Sequence, residues 1–451
     1  MSDLGGRDLP VAVIGAGPIG VVAAAHLVSR GETPLVLEAG DAVGASIRQW
    51  AHVRLFSPWR YLVDPVAVSM LESVGWTAPD PEALPTGGEL VDRFVEPLAA
   101  LPAIAPHIRL DARVTAVARH GFDKMKTPGR DQAPFELVVR TAGGGEERIL
   151  AKAVVDASGT YLSPNPLGAG GLPVPGETEL AGRIVYGIPD VLGRDRARYA
   201  GKRVLVVGSG HSAFNALLDL AALARQEPST AIVWAIRRTS TAQLYGGGED
   251  DQLSARGGLG TRMRALVSTG AVRLVTGFRA TRLDADADGI TVSGEDASIG
   301  PVDEIIVTTG FRPDLSITRE LRLGLDPALE SPLALAPLID PNEHSCGTVY
   351  PHGAAELAHP EPGYYTVGMK SYGRAPTFLL LTGYEQVRSV VCALVGDEAG
   401  AKAVELGLPE TGVCNTDLGG SCCSAPADAA PVLVGLGSRS GRPSLPLAGA
   451  R

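Results

Sequence analysis

The sequence predicts an α/β chain built from two Rossmann-like dinucleotide-binding units, the second inserted into a discontinuous first. Three observations carry this expectation. A Gly15-x-Gly17-x-x-Gly20 turn joins an apolar strand to a helix, and a second turn of the same kind lies at Gly208-x-Gly210-x-x-Ala213. Two further apolar strands, "AVVDASGT" (153–160) and "EIIVTTGFRPD" (304–314), each end in small residues and glycine. A chain of 451 residues has room for about two or three domains and a sizeable core. A net charge of −10 without a basic stripe excludes nucleic acid as an expected partner. Five cysteines without regular spacing argue against a disulfide framework and for a reducing, cytoplasmic setting. The apolar run from Val11 to Val28 lacks a basic leader and is interrupted by three glycines, so it reads as neither a signal peptide nor a membrane span.

The first turn sits in the context its chemistry requires. In "LPVAVIGAGPIGVVAAAHLVSRGETPLVLEAG", Gly15 permits the tight turn and Gly17, followed by Pro18, lets a pyrophosphate approach the backbone. Gly20 lets helix and strand pack closely, and the helix N-terminus offers free N–H groups to the phosphates. Glu38 closes the second strand, where it can accept hydrogen bonds from ribose hydroxyls. The second unit repeats the pattern with Gly208, Gly210 and Ala213, and His211 and Ser212 join its expected phosphate site. Its following strand, "AIVWAIRR", leads into Arg237 and Arg238 where the first unit has Glu38. A carboxylate there would repel a 2′-phosphate and a guanidinium can bind it bidentately, so FAD is expected in the first unit and NADPH in the second. The plain alternative is two arginines on a solvated strand end. The expected boundaries are 1–180 and 301–404 for the FAD domain, 181–300 for the NADPH domain, and 405–451 for a flexible tail containing cysteines.

These residues resemble the two-dinucleotide-domain flavoproteins, in particular the flavin-containing monooxygenase-like group, over about residues 8 to 400. The resemblance rests on both glycine turns, "TTGFRPD" and "GYYTVGMKSYGRAPTFLLLTGYEQVRSV" (363–390). It implies that Ser158, Gly159 and Gly310 line the cofactor crossings, and that Gly368, Lys370 and the helix start near Thr377 contact the flavin ring. It also places Trp59, in "RLFSPWRY", near the flavin. One departure stands out. Where the monooxygenase fingerprint carries histidine, "LAGRIVYGIPD" carries Tyr186. No C-x-x-C occurs, so a thioredoxin-reductase-type dithiol is missing.

Two cysteine-bearing stretches complete the reading. "IDPNEHSCGTVYPHGAAELAHPEPGYYTVG" (339–368) holds Cys346 among His344, His352 and His359. Either Cys346 is a thiolate near the flavin, favoured by an imidazolium such as His352, or the loop merely satisfies local backbone groups. In the tail, Cys414, Cys422 and Cys423 could wrap one thiophilic metalloid, a pattern similar to flavoprotein monooxygenases encoded with arsenic-resistance genes. Unselected cysteines in a linker-like tail are the alternative. The expected activity is therefore an NADPH- and FAD-dependent monooxygenase, with Cys346, His352 and Tyr186 as catalytic candidates. Its expected partners are molecular oxygen and a small soft nucleophile, best arsenite or methylarsenite, in detoxification. A homodimer is compatible with the sequence, and a membrane partner is not expected. A reductase without oxygen transfer and a non-catalytic flavin redox sensor are the alternatives.

Overall fold

The computed structural model describes residues 9–241, 244–245, 254–343, 352–376 and 378–405. Two five-stranded parallel sheets dominate. In the first, the strand order is Tyr364–Thr366, Ala153–Asp156, Val11–Ile14, Pro34–Leu37, Ile108–Arg109. In the second it is Arg273–Val275, Ala231–Ala235, Arg203–Val207, Glu304–Val307, Ile184–Tyr186. Two three-stranded antiparallel sheets accompany them, one from residues 112–151 and one from residues 280–302.

The central strands Val11–Ile14, Ala153–Asp156 and Glu304–Val307 are buried at every position. Such continuous burial is what helices on both faces of a parallel sheet produce. The helix Pro18–Ser29 is correspondingly apolar on all sides and buried from Pro18 to Leu27. It packs against the helix Leu380–Leu394, which closes the first unit. Each fully buried valine or leucine in this layer contributes about 1.5–3 kcal/mol.

The structure corrects the expected domain limits in one place. Glu304–Val307, expected in the returning FAD part, pairs in parallel with Arg203–Val207 and Ile184–Tyr186 in the second sheet. The chain rejoins the first sheet only at Tyr364–Thr366, in register with Val154–Asp156. In Glu304–Val307 the apolar residues Ile305, Ile306 and Val307, buried on both faces, carry no mark of which sheet they join, and the leading Glu304 finds its partners Arg183 and Arg198 only in the fold. No helix among the described residues is long and apolar enough to cross a membrane.

Candidate functional site: two glycine turns and a buried charge cluster

At the first turn, Gly15 has φ +98°, and a side chain there would meet the Ala157 carbonyl at 2.9 Å. Gly20 is tighter still, since a Cβ would lie 1.9 Å from the Gly15 oxygen. Gly17 behaves in the opposite way. It precedes the helix, with Pro18 at the first turn, and a Cβ built on it meets nothing within 4 Å. The chain thus crowds Gly15 and Gly20 itself and leaves the space over Gly17 for a ligand, as a pyrophosphate at a helix N-terminus requires. Glu38 accepts hydrogen bonds from Ala16 N at 2.6 Å and Gly40 N at 2.8 Å, one on each oxygen. It fixes the turn, and each oxygen keeps lone-pair capacity for a ribose hydroxyl.

Asp156 ends the neighbouring strand, in register with Ile14. It is completely buried. One carboxylate oxygen accepts from Lys370 Nζ at 2.7 Å and Tyr364 Oη at 2.9 Å, and the other from Ser158 N at 3.1 Å and Ser158 Oγ at 2.6 Å. Lys370 Nζ also donates to Ser158 Oγ at 3.0 Å. Burial opposes ionisation of Asp156, but the Lys370 ammonium and the Ser158 hydrogen bonds outweigh it and hold the carboxyl below its ordinary value. Burial, reinforced by the Asp156 charge, pushes the Tyr364 phenol far up. Sequence reasoning named Ser158 and Lys370 but missed Asp156 and Tyr364. The signal was there, because an acid stands inside the apolar run of "AVVDASGT".

Gly368, at φ +68°, lies against Ile19 of the first helix, and its N–H donates to Gln386 Oε1 at 2.7 Å. Gln386 Nε2 reaches Ser371 Oγ and the His352 ring nitrogen, both at 2.9 Å. His352 is therefore a buried residue tied to the segment that carries Gly368 and Lys370. Gly159, at φ +69°, is open to a ligand, with nothing within 4 Å of a Cβ. The closing helix begins at Leu380. Cys346, His344, Thr377, Cys414, Cys422 and Cys423 lie outside the described residues. Trp59 lies in the first unit's hydrophobic core, 2% exposed.

The second turn repeats the division of labour. A Cβ on Gly208 (φ +134°) would strike Thr308 Oγ1 at 2.4 Å, whereas one on Gly210 meets nothing within 4 Å. Gly210 precedes the helix His211–Gln226, and Ala213 is fully buried beneath it. Ser212 is half-buried. The His211 ring lies 5.2 Å from Phe56 of the first unit. Arg237 is exposed just past the strand Ala231–Ala235, with Nη1 donating to Ala169 O at 3.1 Å. Arg238 beside it is half-buried. Gly310 has φ +90°, and its carbonyl accepts from Asn165 N at 2.9 Å.

Tyr186 lies on the edge strand of the second sheet, and its hydroxyl donates to Glu177 Oε1 at 2.5 Å. The buried Glu177 also accepts from Leu167 N at 2.7 Å and Val174 N at 2.8 Å, so this phenol anchors the 167–177 loop. Burial pushes the Tyr186 hydroxyl well above its ordinary value, with the Glu177 hydrogen bond and charge adding to the effect. Among the described residues no group of three or more histidine, cysteine or acidic side chains is placed to hold a metal ion.

The comparisons with known proteins fit this geometry. The family of NAD(P)-binding Rossmann-like domains matches residues 13–67. The chain is 33% identical over 214 residues to indole-3-pyruvate monooxygenase YUCCA1 of Oryza sativa subsp. japonica, covering 46% of this chain and 44% of that protein. It thus spans less than half the length of that relative. It is 28% identical over 331 residues to ferredoxin–NADP reductase of Salinispora arenicola, covering 71% of this chain and 79% of the relative. Bacillithiol disulfide reductase from Bacillus cereus superposes with a TM-score of 0.64 at 19% identity, over 86% of this chain and 99% of that one. The flavin-containing monooxygenase from Stenotrophomonas maltophilia superposes with a TM-score of 0.55 at 21% identity, over 86% and 98%. The expected fold class, the oxidoreductase class and the pairing of FAD with a nicotinamide dinucleotide all agree with these likenesses.

Proposed function

We propose that this chain is an NADPH- and FAD-dependent monooxygenase acting on a soft nucleophile. The observation that carries the reading is the pair of open glycines, Gly17 and Gly210, each at the start of a helix, with Glu38 serving the first turn and Arg237 and Arg238 flanking the second. Gly17, Glu38, Ser158 and the Gly368–Lys370 segment would hold FAD; Gly210, His211, Ser212 and the arginine pair would hold NADPH. The flavin, when bound, supplies the two-electron and oxygen chemistry. The protein's share is to hold both dinucleotides and keep water from the crevice. In the overall balance NADPH gives two electrons, one oxygen atom of dioxygen enters the substrate, and the other leaves as water.

The arginine pair gives a first test. Replacing both Arg237 and Arg238 by alanine should raise the KM for NADPH about tenfold or more, since each contact to a phosphate is worth about 1.5–3 kcal/mol. The KM for NADH should barely move. Equal losses with both coenzymes would show that the arginines only support the fold.

The finer reading makes trivalent arsenic the substrate, captured by Cys414, Cys422 and Cys423 and passed to Cys346. Its support is the concentration of three thiols in one short stretch of an otherwise cysteine-poor chain. Truncation after Pro409 should raise the KM for arsenite or methylarsenite and leave turnover at saturation largely intact. Cys346→Ser should abolish metalloid-stimulated NADPH oxidation at any substrate concentration. If the truncated protein handles dilute metalloid as well as the full chain, the tail thiols are passengers and organic sulfur or nitrogen compounds become the substrates to examine.

One observation favours a second reading, a reductase without oxygen transfer. Tyr186 replaces the fingerprint histidine, and its hydroxyl is committed to Glu177. Oxygen uptake stoichiometric with NADPH oxidation and with oxygenated product supports the monooxygenase. NADPH oxidation that proceeds with an electron acceptor under anaerobic conditions, and yields no oxygenated product in air, supports the reductase.

A further inference from the structure

We infer that Lys370, paired with Asp156 beside the first glycine turn, is the charge that sets the reduction potential of the flavin bound there. The inference rests on the reading that FAD occupies the first unit. Its ground is the position of the cluster. In open parallel sheets ligands bind in the crevice at the carboxyl ends of the strands. Asp156 is the last residue of its strand, level with Ile14 and one step before Gly15. Lys370 follows Gly368, which rests on Ile19 in the first turn of the dinucleotide helix. The pair therefore borders the space that Gly17 and Gly159 leave open.

A buried ion pair is costly, and neutral side chains of similar volume usually stabilise a core as well. Here the side chains of Lys370 and Asp156 are 1% and 0% exposed. Asp156 has four donors and is saturated. Lys370 is not. Its ammonium has three hydrogens, and among the described residues two of them find acceptors, in Asp156 and Ser158. Shielded from water by the chain, the ammonium acts on the neighbouring crevice through a medium of low dielectric, where a charge is little screened. A cation held there stabilises the electron-rich reduced ring, and charge near the ring is one of the ways a protein tunes this cofactor.

The test is a spectroelectrochemical titration of the FAD-reconstituted full chain and three variants. Lys370→Met should lower the midpoint potential, because it removes the cation. Asp156→Asn should raise it, because it leaves the cation unneutralised. The double variant should return close to the wild type. If Lys370→Met does not accumulate as folded protein, Asp156→Asn and the neutral double variant still decide the question. Stoichiometric FAD with unchanged potentials, or shifts of the same sign in both single variants, would overturn the inference, since a merely structural pair has no reason to move the potential in opposite directions. A wild-type chain that takes up no FAD overturns the cofactor reading itself.

Discussion

Gly17→Val removes FAD retention and leaves the protein folded. The Cβ of a valine there meets no other part of the chain, since one built on Gly17 has no neighbour within 4 Å. Its backbone is also ordinary, with φ −74°, so no left-handed conformation is lost. The space it fills is the one a pyrophosphate needs. Each backbone hydrogen bond to a charged phosphate is worth about 1.5–3 kcal/mol, and losing two weakens binding about a hundredfold or more. Flavin content after purification and the FAD dissociation constant on reconstitution measure this, with circular dichroism confirming the fold. Gly20→Val is the contrasting control. Its Cβ would sit 1.9 Å from the Gly15 oxygen, so folding itself should fail. A Gly17→Val protein that keeps stoichiometric FAD would remove the first turn from the site.

The second large effect is on stability. Glu361 is buried between two guanidinium groups, with Arg119 Nε at 2.8 Å and Arg130 Nη1 at 2.7 Å, and it accepts from Arg322 N at 2.9 Å. Arg119 also donates to Pro362 O and lies over the Phe135 ring. The cluster ties the antiparallel sheet of residues 112–151 to the chain just before Tyr364–Thr366, and so to the strand that brings Tyr364 to Asp156. Glu361→Gln leaves two buried cations without their counter-charge, and breaking a buried pair in this way costs about 3–5 kcal/mol. Chemical denaturation of the variant measures the loss.

Acid should erode the same contribution in the wild type. Burial raises the Glu361 carboxyl, but the Arg322 amide and the Arg119 and Arg130 guanidiniums outweigh it and hold it below the ordinary value. A lowered carboxyl stabilises the fold above its unfolded value of about 4.3, and that contribution disappears as pH falls through the folded value. The stability gap between wild type and Glu361→Gln should therefore be constant near neutrality and shrink in acid below about pH 4.3. A gap that does not change with pH would show that the carboxylate charge is not what matters.

The sequence displayed the two turns well, because spacing alone encodes them. Gly15, Gly20 and Gly208 are crowded by the chain's own atoms, Gly17 and Gly210 are not, and the fingerprint places each type where it belongs. Strand membership was less legible. Within Glu304–Val307 the run Ile305, Ile306 and Val307 is apolar, and nothing in these buried residues says which parallel sheet the strand joins. The charge cluster was legible only in part, since Asp156 bonds Tyr364 and Lys370 across 208 and 214 residues of chain. His352 was expected to serve Cys346, which lies outside the described residues; its contacts with Gln386 and the Tyr372 ring, set by how the closing helix packs, were not legible in the sequence. Tyr186 stood out by replacing a fingerprint histidine, and only the fold showed that Glu177 takes its hydroxyl.

The central claim is that the first unit holds FAD and the second delivers electrons to it from NADPH. Anaerobic titration of the FAD-loaded chain with NADPH, followed through the flavin absorbance, tests it most directly. The account predicts stoichiometric bleaching by NADPH, much weaker bleaching by NADH at the same concentration, and recovery of the oxidised spectrum when oxygen is admitted. A flavin that stays oxidised under excess NADPH, in a protein that binds FAD stoichiometrically, would contradict it.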